Sequence, residues 1–343
     1  MKLGSAVGMR DNPDSFARHL RSLEDAGVEY LWCGEAYTAD AVSTMGFVAA
    51  ATSRAQIGSS ILPIYTRTPS VLAMTAVGLD LLSGGRFNLG IGASGPQVIE
   101  GFHGVPYDAP LARTKEIIDI CRSVWRRDRL EHSGPKYQIP LAEGLGTGLG
   151  KPLKLITHPL RERIPVYIAS LGPKNVEMTA AIAEGWLPLH YWPDGAHRVW
   201  ADSLRAGQAR REDGLPPLEI VAGGSLAIGK DVAHLREAAR PHLALYFGGM
   251  GARGQNFYND VLKRYGFEQE AEQIQDAYLS GDKIGAAAMV PAELVDGISL
   301  IGDEGFVRDR IAAYRESGVT ILNVQPVGPN GTKDIETVAG WLS

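Results

Sequence analysis

The sequence has few of the features that mark specialised classes of protein. Only two cysteines, Cys33 and Cys121, occur in 343 residues, which is too few for a disulfide-stabilised scaffold. No apolar run is long enough to span a bilayer, and no basic segment followed by an apolar one marks a secretion signal. H-x-H, H-E-x-x-H and C-x-x-C patterns are also missing, so a metal-dependent hydrolase has little support. We therefore expect a cytoplasmic protein with no metal site and no membrane contact.

The charge composition also lacks a strong bias. The formal net charge is -5, with 21% charged and 45% hydrophobic residues, as in an ordinary globular protein with a large core. A mildly acidic chain gives no electrostatic reason to bind nucleic acid or an anionic surface. The expected binding partner is a small-molecule substrate.

Short apolar segments alternate regularly with amphipathic ones, a pattern typical of parallel strands joined by crossover helices. The first predicted helix shows how local the signals are: Asn12 is a plausible N-cap, and Gly27 stands at the position that ends a helix. Eight strands are predicted, at residues 3–9, 29–35, 56–63, 86–93, 164–170, 185–191, 219–229 and 319–328.

Eight strands with helices between them predict an α/β fold, a (β/α)8 TIM barrel. Two stretches interrupt the alternation. Residues 129–163 are rich in glycine and proline, and residues 232–292 are mostly helical in pattern. We interpret the whole chain, residues 1–343, as a single barrel domain with insertions after strand four and between strands seven and eight.

Gly90, Gly92 and Gly95 have the G-x-G-x-x-G spacing of a dinucleotide-binding fingerprint. That fingerprint normally follows a first strand and opens directly into a helix. Here the glycines end a fourth strand, and the next helix is predicted only near residue 110. We therefore interpret them as a strand end at which the backbone lies close to a flat ligand.

Several segments in order resemble the bacterial luciferase-like superfamily: "IGSSILPIYTRTP", "LDLLSGGRFNLGIGASGPQVIEGFHGVPYD" and "IPVYIASLGPKNVEMTAAIAEGWLPLH". The "GEAY" after strand two and "YFGGMGARGQNFY" at 246–258 resemble the branch that uses the deazaflavin coenzyme F420. The resemblance implies a (β/α)8 barrel with a flavin or deazaflavin at the carboxyl ends of its strands. It also implies a homodimer.

The resemblance implies a set of cofactor-binding residues. A non-prolyl cis peptide bond, Ser60–Ile61, would support one face of the ring, and Ala93, Ser94 and Gly95 would meet its pyrimidine edge. The segment Ser170, Leu171, Gly172 and Pro173, at the start of a helix, would hold the cofactor phosphate. His190, after strand six, would add a polar contact.

The catalytic residues are less well defined by the resemblance. Some members of this branch carry a histidine and a glutamate at positions occupied here by Ala36 and Gly95. Glu35, which ends strand two, and Tyr65, on the loop after strand three, are the nearest candidates for handling a proton. Each could equally have a structural role, Glu35 as a hydrogen-bonding carboxylate and Tyr65 as a packed ring. Arg67 could clamp an anionic group, and Arg253, Lys151, Lys154 and Lys174 could meet the polyglutamate tail of F420.

The function predicted is an F420-dependent oxidoreductase that transfers a hydride between the deazaflavin and a small organic substrate with a C=C, C=N or C=O bond, or an alcohol. One alternative is an FMN-dependent luciferase-like monooxygenase that consumes oxygen and needs a separate reductase. Another is a flavin- or deazaflavin-binding protein without turnover.

Overall fold

The computed structural model describes residues 1–10 and 12–342, and within them helices alternate with short strands. The strands are β1 (Lys2–Ala6), β2 (Tyr30–Cys33), β3 (Gln56–Ser59), β4 (Leu62–Pro63), β5 (Phe87–Gly92), β6 (His132–Ser133), β7 (Gln138–Ile139), β8 (Val166–Ala169), β9 (Gly185–Trp186), β10 (Glu219–Ala222), β11 (Ser225–Ile228), β12 (Leu300–Gly302), β13 (Ile321–Asn323) and β14 (Gln325–Pro326).

The α-helices are α1 (Pro13–Asp25), α2 (Ala41–Ala51), α3 (Pro69–Ser83), α4 (Pro96–Gly101), α5 (Pro110–Trp125), α6 (Pro173–Ile182), α7 (Pro193–Gln208), α8 (Arg240–Ala244), α9 (Phe257–Arg264), α10 (Glu268–Leu279), α11 (Lys283–Ala288), α12 (Ala292–Gly297), α13 (Glu304–Glu316) and α14 (Thr332–Leu342). A 3-10 segment, Ala233–Ala239, precedes α8, and a π-helical segment, Leu245–Gly249, follows it.

The positions of the predicted helix ends follow from local capping. Asn12 Oδ1 accepts a hydrogen bond from the Ser15 amide at 2.9 Å, which confirms it as the N-cap of α1. Gly27 has φ +94°, the left-handed conformation expected just after a helix. Helix α3 begins with Pro69 after the Thr68 cap and ends at Gly84, with φ +67°. Each of these signals lies within a few residues of the helix end that it sets.

All eight predicted strands are shorter than expected or broken, and four of them differ most. Strand three is interrupted at Ser60–Ile61, where the peptide bond is cis as the resemblance implied. Strand six extends only over Gly185–Trp186, because Pro188 has no N–H to continue a ladder. Strand seven breaks at Gly223–Gly224 and strand eight at Val324, because the segments on either side of each break pair with different strands.

Several elements were missed or misplaced from the sequence. Helix α4 begins at Pro96, directly after Gly95, so the prediction that the next helix waits until residue 110 was wrong. Helices α7 and α14 and strand β12 were not predicted. The glycines nevertheless end a central strand rather than a first one, as the sequence analysis proposed.

The chain divides into two compact units. Unit I comprises Val7–Leu20 and Leu31–Ala169, and unit II comprises Met1–Ala6, Arg21–Tyr30 and Ser170–Ser343. The single-domain division with two insertions stays a prediction.

Unit I is built around a parallel sheet in which β5 is central. Strand β5 pairs with β3 and β4 along one edge and with β8 along the other. The packing is close at Gly58, because a Cβ atom there would lie 2.2 Å from the Trp32 ring. Trp32 and Tyr167 pack edge to face in the core, with centroids 5.1 Å apart.

Residues 129–163 of unit I form an ordered excursion with two buried anchors. The β6–β7 hairpin is held at Glu116, which accepts hydrogen bonds from the amides of Lys136 and Tyr137 at 3.1 and 3.0 Å and lies 2.9 Å from His132 Nε2. Near the other end, Arg161 pairs with Asp80 at 2.5 Å, a carboxylate that is only 1% exposed. Between the anchors, residues 141–150 are all exposed.

Unit II contains two parallel sheets. In the first, β13 lies between β1 and β10, and β10 also pairs with β9. In the second, β11 lies between β12 and β14. Gly223 and Gly224 connect the two sheets at a close backbone approach: a Cβ at Gly223 would lie 2.1 Å from the Asn323 carbonyl oxygen. A Cβ at Gly224 would lie 2.0 Å from the Ile298 carbonyl oxygen.

Candidate functional site

Glu35 lies two residues after β2 and is held by a bidentate ion pair. Its two carboxylate oxygens accept hydrogen bonds from Arg67 at 2.6 and 2.9 Å, and the side chain is 9% exposed. Glu35 Oε2 also accepts from the Ala41 amide at the start of α2, at 3.1 Å. Charge-assisted bidentate pairs of this geometry hold a carboxylate in a fixed orientation. Glu35 therefore acts as an acceptor in this arrangement.

Arg67 also bonds Asp40, at 2.8 Å, and so bridges two carboxylates. The hydrogen bonding of Arg67 to Glu35, in which Arg67 donates, is the main reason why the pKa of Arg67 is raised above its ordinary value. For Asp40, burial alone would raise the pKa, but the hydrogen bonds from Ser43 and the charge of Arg67 lower it below its usual value. The anionic groups that Arg67 clamps here belong to the protein itself.

Tyr65 lies on the loop after β4 in a second polar group of unit I. Its hydroxyl donates a hydrogen bond to the Asp108 carbonyl at 2.9 Å, and its ring lies 5.2 Å from that of Tyr107. The Arg113 guanidinium stacks over the Tyr65 ring at 5.6 Å and pairs with the Asp108 carboxylate at 2.6 Å. Burial, with a further contribution from Tyr107, raises the pKa of Tyr65 well above its ordinary value. Tyr65 therefore keeps its proton at neutral pH.

The predicted ring-binding backbone of unit I is open where a flat ligand would need space. The Ser60–Ile61 cis peptide follows β3, and a Cβ at Gly92 would lie 3.0 Å from Ile61 Cδ1. Ala93 and Ser94 follow β5, and Ser94 has φ +59°. Gly95 caps α4 without a side chain, and a Cβ there would meet no atom within 4 Å. The space beside Gly95 is therefore not filled by any other described part of the protein.

The predicted phosphate segment of unit II has its carbonyls fixed by large side chains. The carbonyl oxygen of Ser170 accepts from Trp186 Nε1 at 2.9 Å, and that of Leu171 accepts from Trp200 Nε1 at 3.1 Å. Gly172 is the N-cap of α6, with no side-chain cap, and Pro173 is the first residue of the helix. With the carbonyls turned into the protein, the amide end of α6 is left to face an anion.

Asn175, in the first turn of α6, carries a buried amide oxygen without a hydrogen-bond partner in the described part of the chain. A Cβ at Gly172 would meet no atom within 4 Å. Buried polar atoms without partners are uncommon and concentrate where a ligand or water completes the set. The free space at Gly172 fits an anion at this helix end, whereas the Asn175 oxygen is an acceptor and needs a donor such as water or a hydroxyl.

His190 follows β9 in unit II and lies among aromatic side chains. Its ring centroid is 4.8 Å from that of Tyr246 and 5.3 Å from that of Phe247. Burial, followed by the neighbouring His242, lowers the pKa of His190 to about 3. The imidazole is therefore neutral at physiological pH.

Several residues that organise these groups were missed from the sequence. Asp40 pairs with Arg67 across 27 residues, and Asp108 pairs with Arg113 across five. Among the cations predicted for a cofactor tail, Arg253 pairs with Asp276 at 2.7 Å and Lys174 with Glu177 at 3.3 Å. The side chains of Arg253 and Lys174 are 65% and 84% exposed, so the two cations keep access to solvent.

Two features are absent from the part of the chain that the structure describes. Residues 1–10 and 12–342 contain no group of three or more His, Cys, Asp or Glu side chains that could hold a metal ion. None of the helices in the same ranges is both long and apolar enough to cross a membrane. The homodimer and the cytoplasmic location stay predictions.

Known proteins are similar to this chain over nearly its whole length. A family model described as luciferase-like monooxygenase matches residues 2–320. A protein of Mycobacterium tuberculosis whose name describes a coenzyme F420-dependent oxidoreductase is 41% identical over 343 residues, which cover 98% of each chain. A 5,10-methylenetetrahydromethanopterin reductase of Archaeoglobus fulgidus is 27% identical over 327 residues, or 93% of this chain and 92% of the relative.

Among solved structures, the coenzyme F420-dependent tetrahydromethanopterin reductase of Methanopyrus kandleri superimposes with a TM-score of 0.79. The superposition covers 98% of this chain and 97% of that one, at 24% identity. An identity this low is evidence of the fold alone. The superposition confirms the predicted (β/α)8 class.

Proposed function

The chain belongs to the luciferase-like monooxygenase family, on its coenzyme F420-dependent oxidoreductase branch, and from that premise we propose that it transfers a hydride between bound F420 and a small organic substrate. The observation that carries the proposal is the 41% identity to the M. tuberculosis F420-dependent oxidoreductase over 98% of both chains. The A. fulgidus reductase, similar over 93% of this chain, adds support for reduction as the reaction class.

The residues present fit the group that this function requires. F420, when bound, supplies a two-electron hydride carrier on a flat ring, with a phosphate and an anionic tail beyond it. In unit I, the backbone of Ala93, Ser94 and Gly95, with free space at Gly95, would hydrogen-bond a ring edge. In unit II, the uncapped end of α6 at Gly172 would hold a phosphate.

A proton must accompany the hydride when a C=O or C=N bond is reduced. We propose that Tyr65 donates it, because its phenol is protonated at neutral pH and its hydroxyl can exchange the hydrogen bond to the Asp108 carbonyl for one to the substrate. Glu35 cannot donate while both its oxygens accept from Arg67. We propose that Glu35 instead holds Arg67 and the start of α2 in place.

Replacing Tyr65 by phenylalanine should lower turnover with reduced F420 about a hundredfold, the usual contribution of a positioned proton donor. Glu35→Gln should lower turnover less than tenfold, because the amide still accepts from Arg67. Stopped-flow measurement of F420 reoxidation would give both values. Tyr137→Phe is the matched control, since Tyr137 bonds the same Arg113 from the hairpin. A hundredfold loss in Glu35→Gln together with full turnover in Tyr65→Phe would reverse the two roles.

The cofactor itself is tested by titrating the purified protein with F420 and, separately, with FMN, followed by tryptophan fluorescence at several salt concentrations. We expect F420 to bind more tightly than FMN and to weaken as salt rises, because screening reduces the attraction of exposed cations for an anionic tail. Arg253 and Lys174 are such cations. Preference for FMN, independent of salt, would replace the proposal with an oxygen-consuming monooxygenase.

A further inference from the structure

The imidazole of His190 has a nitrogen that the protein leaves without a partner. Nε2 is buried and makes no hydrogen bond to any described residue. A buried polar atom without a partner destabilises the folded protein, so such atoms concentrate where something outside the chain completes them. His190 also has φ +53°, a left-handed conformation that non-glycine residues adopt rarely and mostly at functional positions.

The neighbours of His190 form an uncharged aromatic enclosure, which we call the His190 cage. It consists of the rings of His242, Tyr246, Phe247 and Tyr258, whose centroids lie between 4.8 and 6.0 Å from that of His190. Burial lowers the pKa of His242 as well, so both imidazoles are neutral at physiological pH. A charged group placed here would lose its hydration without gaining a counter-charge.

The chain around the His190 cage is held in an unusual geometry from two sides. Tyr265, which is 1% exposed, donates to the His190 carbonyl at 3.0 Å and accepts from the Trp192 amide at 2.9 Å. Tyr246 and Phe247 lie in the π-helical segment Leu245–Gly249, and such segments are rare and frequent at functional sites. The imidazole is thus presented on a fixed backbone just after a strand of the barrel.

We propose that His190 Nε2 binds the oxygen of an uncharged substrate group, such as a carbonyl or hydroxyl, and that the His190 cage packs against the ring or chain that carries it. A neutral imidazole can donate to a carbonyl oxygen or accept from a hydroxyl, so it serves a ketone and its alcohol equally. The aromatic faces favour an apolar body beside that oxygen. This inference rests on the proposed function and narrows its substrate to uncharged carbonyl compounds and alcohols.

The first test observes His190 directly. Histidine ring nitrogens are labelled with 15N, and the His190 signals are assigned by their loss in His190→Gln. Cyclohexanone and benzaldehyde are the neutral probes, and pyruvate and tetramethylammonium are the charged ones. We expect the neutral probes to shift the His190 Nε2 resonance in a saturable way, with and without F420. The charged probes should leave it in place. An unmoved resonance with both neutral probes, or a shift with the charged probes alone, overturns the inference.

The second test uses turnover with reduced F420. His190→Phe keeps a ring in the cage but removes the nitrogen, and it should lower kcat/KM for the neutral probes about tenfold or more. His190→Gln keeps a donor and should retain more activity than His190→Phe. The control is His197→Phe, the same change at an exposed position of α7. Equal kcat/KM in His190→Phe and His197→Phe contradicts the inference.

Failure of the proposed function would look different. In that case neither variant nor wild type would bind F420 or reoxidise it, while the 15N titration would still report whether His190 binds neutral oxygen compounds. We expect His190→Phe to bind F420 within twofold of wild type, which separates a substrate contact from a cofactor contact.

Discussion

Replacing Gly223 by alanine should destabilise the protein by at least about 4 kcal/mol or prevent folding, because the new methyl group has no space. A Cβ there would lie 2.1 Å from the Asn323 carbonyl oxygen and 2.8 Å from the amide nitrogen of the same residue. Both atoms belong to the backbone at the end of β13, so no side chain can rotate away. The free energy of unfolding from urea titration measures the loss.

The matched control is Gly46→Ala, in the interior of α2. A Cβ at Gly46 would meet no atom within 4 Å, so this variant should gain about 0.5–1 kcal/mol from the better helix propensity of alanine. Equal urea midpoints for Gly223→Ala and Gly46→Ala would show that the backbone of Asn323 does not lie as close to Gly223 as described.

Replacing Arg161 by methionine should cost about 3–5 kcal/mol, because it leaves the buried Asp80 carboxylate without its counter-charge. Arg161 also donates to the Phe87 carbonyl at 2.6 Å, so the loss includes a hydrogen bond to the backbone as well. We expect a lower urea midpoint with an unchanged slope, since the residues buried on folding stay the same.

Two further variants identify the cause of that loss. Arg205→Met removes the arginine of an exposed ion pair with Asp202 and should change stability little. Adding Asp80→Asn to Arg161→Met should restore part of the stability, because the uncharged amide still accepts from the Phe87 amide. A double variant no more stable than Arg161→Met would assign the loss to packing rather than to charge.

The sequence predicted those parts of the fold that depend on neighbouring residues. The cap at Asn12 and the left-handed Gly27 follow from residue type and position alone. The breaks in strands seven and eight could not be predicted in this way. They depend on the approach of Ile298 and Asn323 to the Gly223–Gly224 pair, and these residues are 74 and 100 positions distant in the chain.

In the candidate site, too, the sequence predicted the residues that local position marks and missed the contacts between distant residues. Glu35 and Tyr65 could be found because they follow predicted strands, where barrel enzymes place polar residues. Their partners could not, since Arg67 reaches Glu35 across 32 residues and Tyr65 reaches Asp108 across 43. The neighbours of His190 come from α8 to α9, more than 50 residues later, and no periodicity in the sequence connects them with β9.

The two anchors of the 129–163 excursion make its middle a natural place for engineering. Glu116 holds the hairpin before residues 141–150, and Asp80 holds Arg161 after them. All ten intervening residues are exposed, so a peptide spliced in at Gly146 would leave both attachment points intact. An affinity tag or a fluorescent label at that position could therefore report on the protein without disturbing either anchor, and new chain termini created there should be tolerated for the same reason.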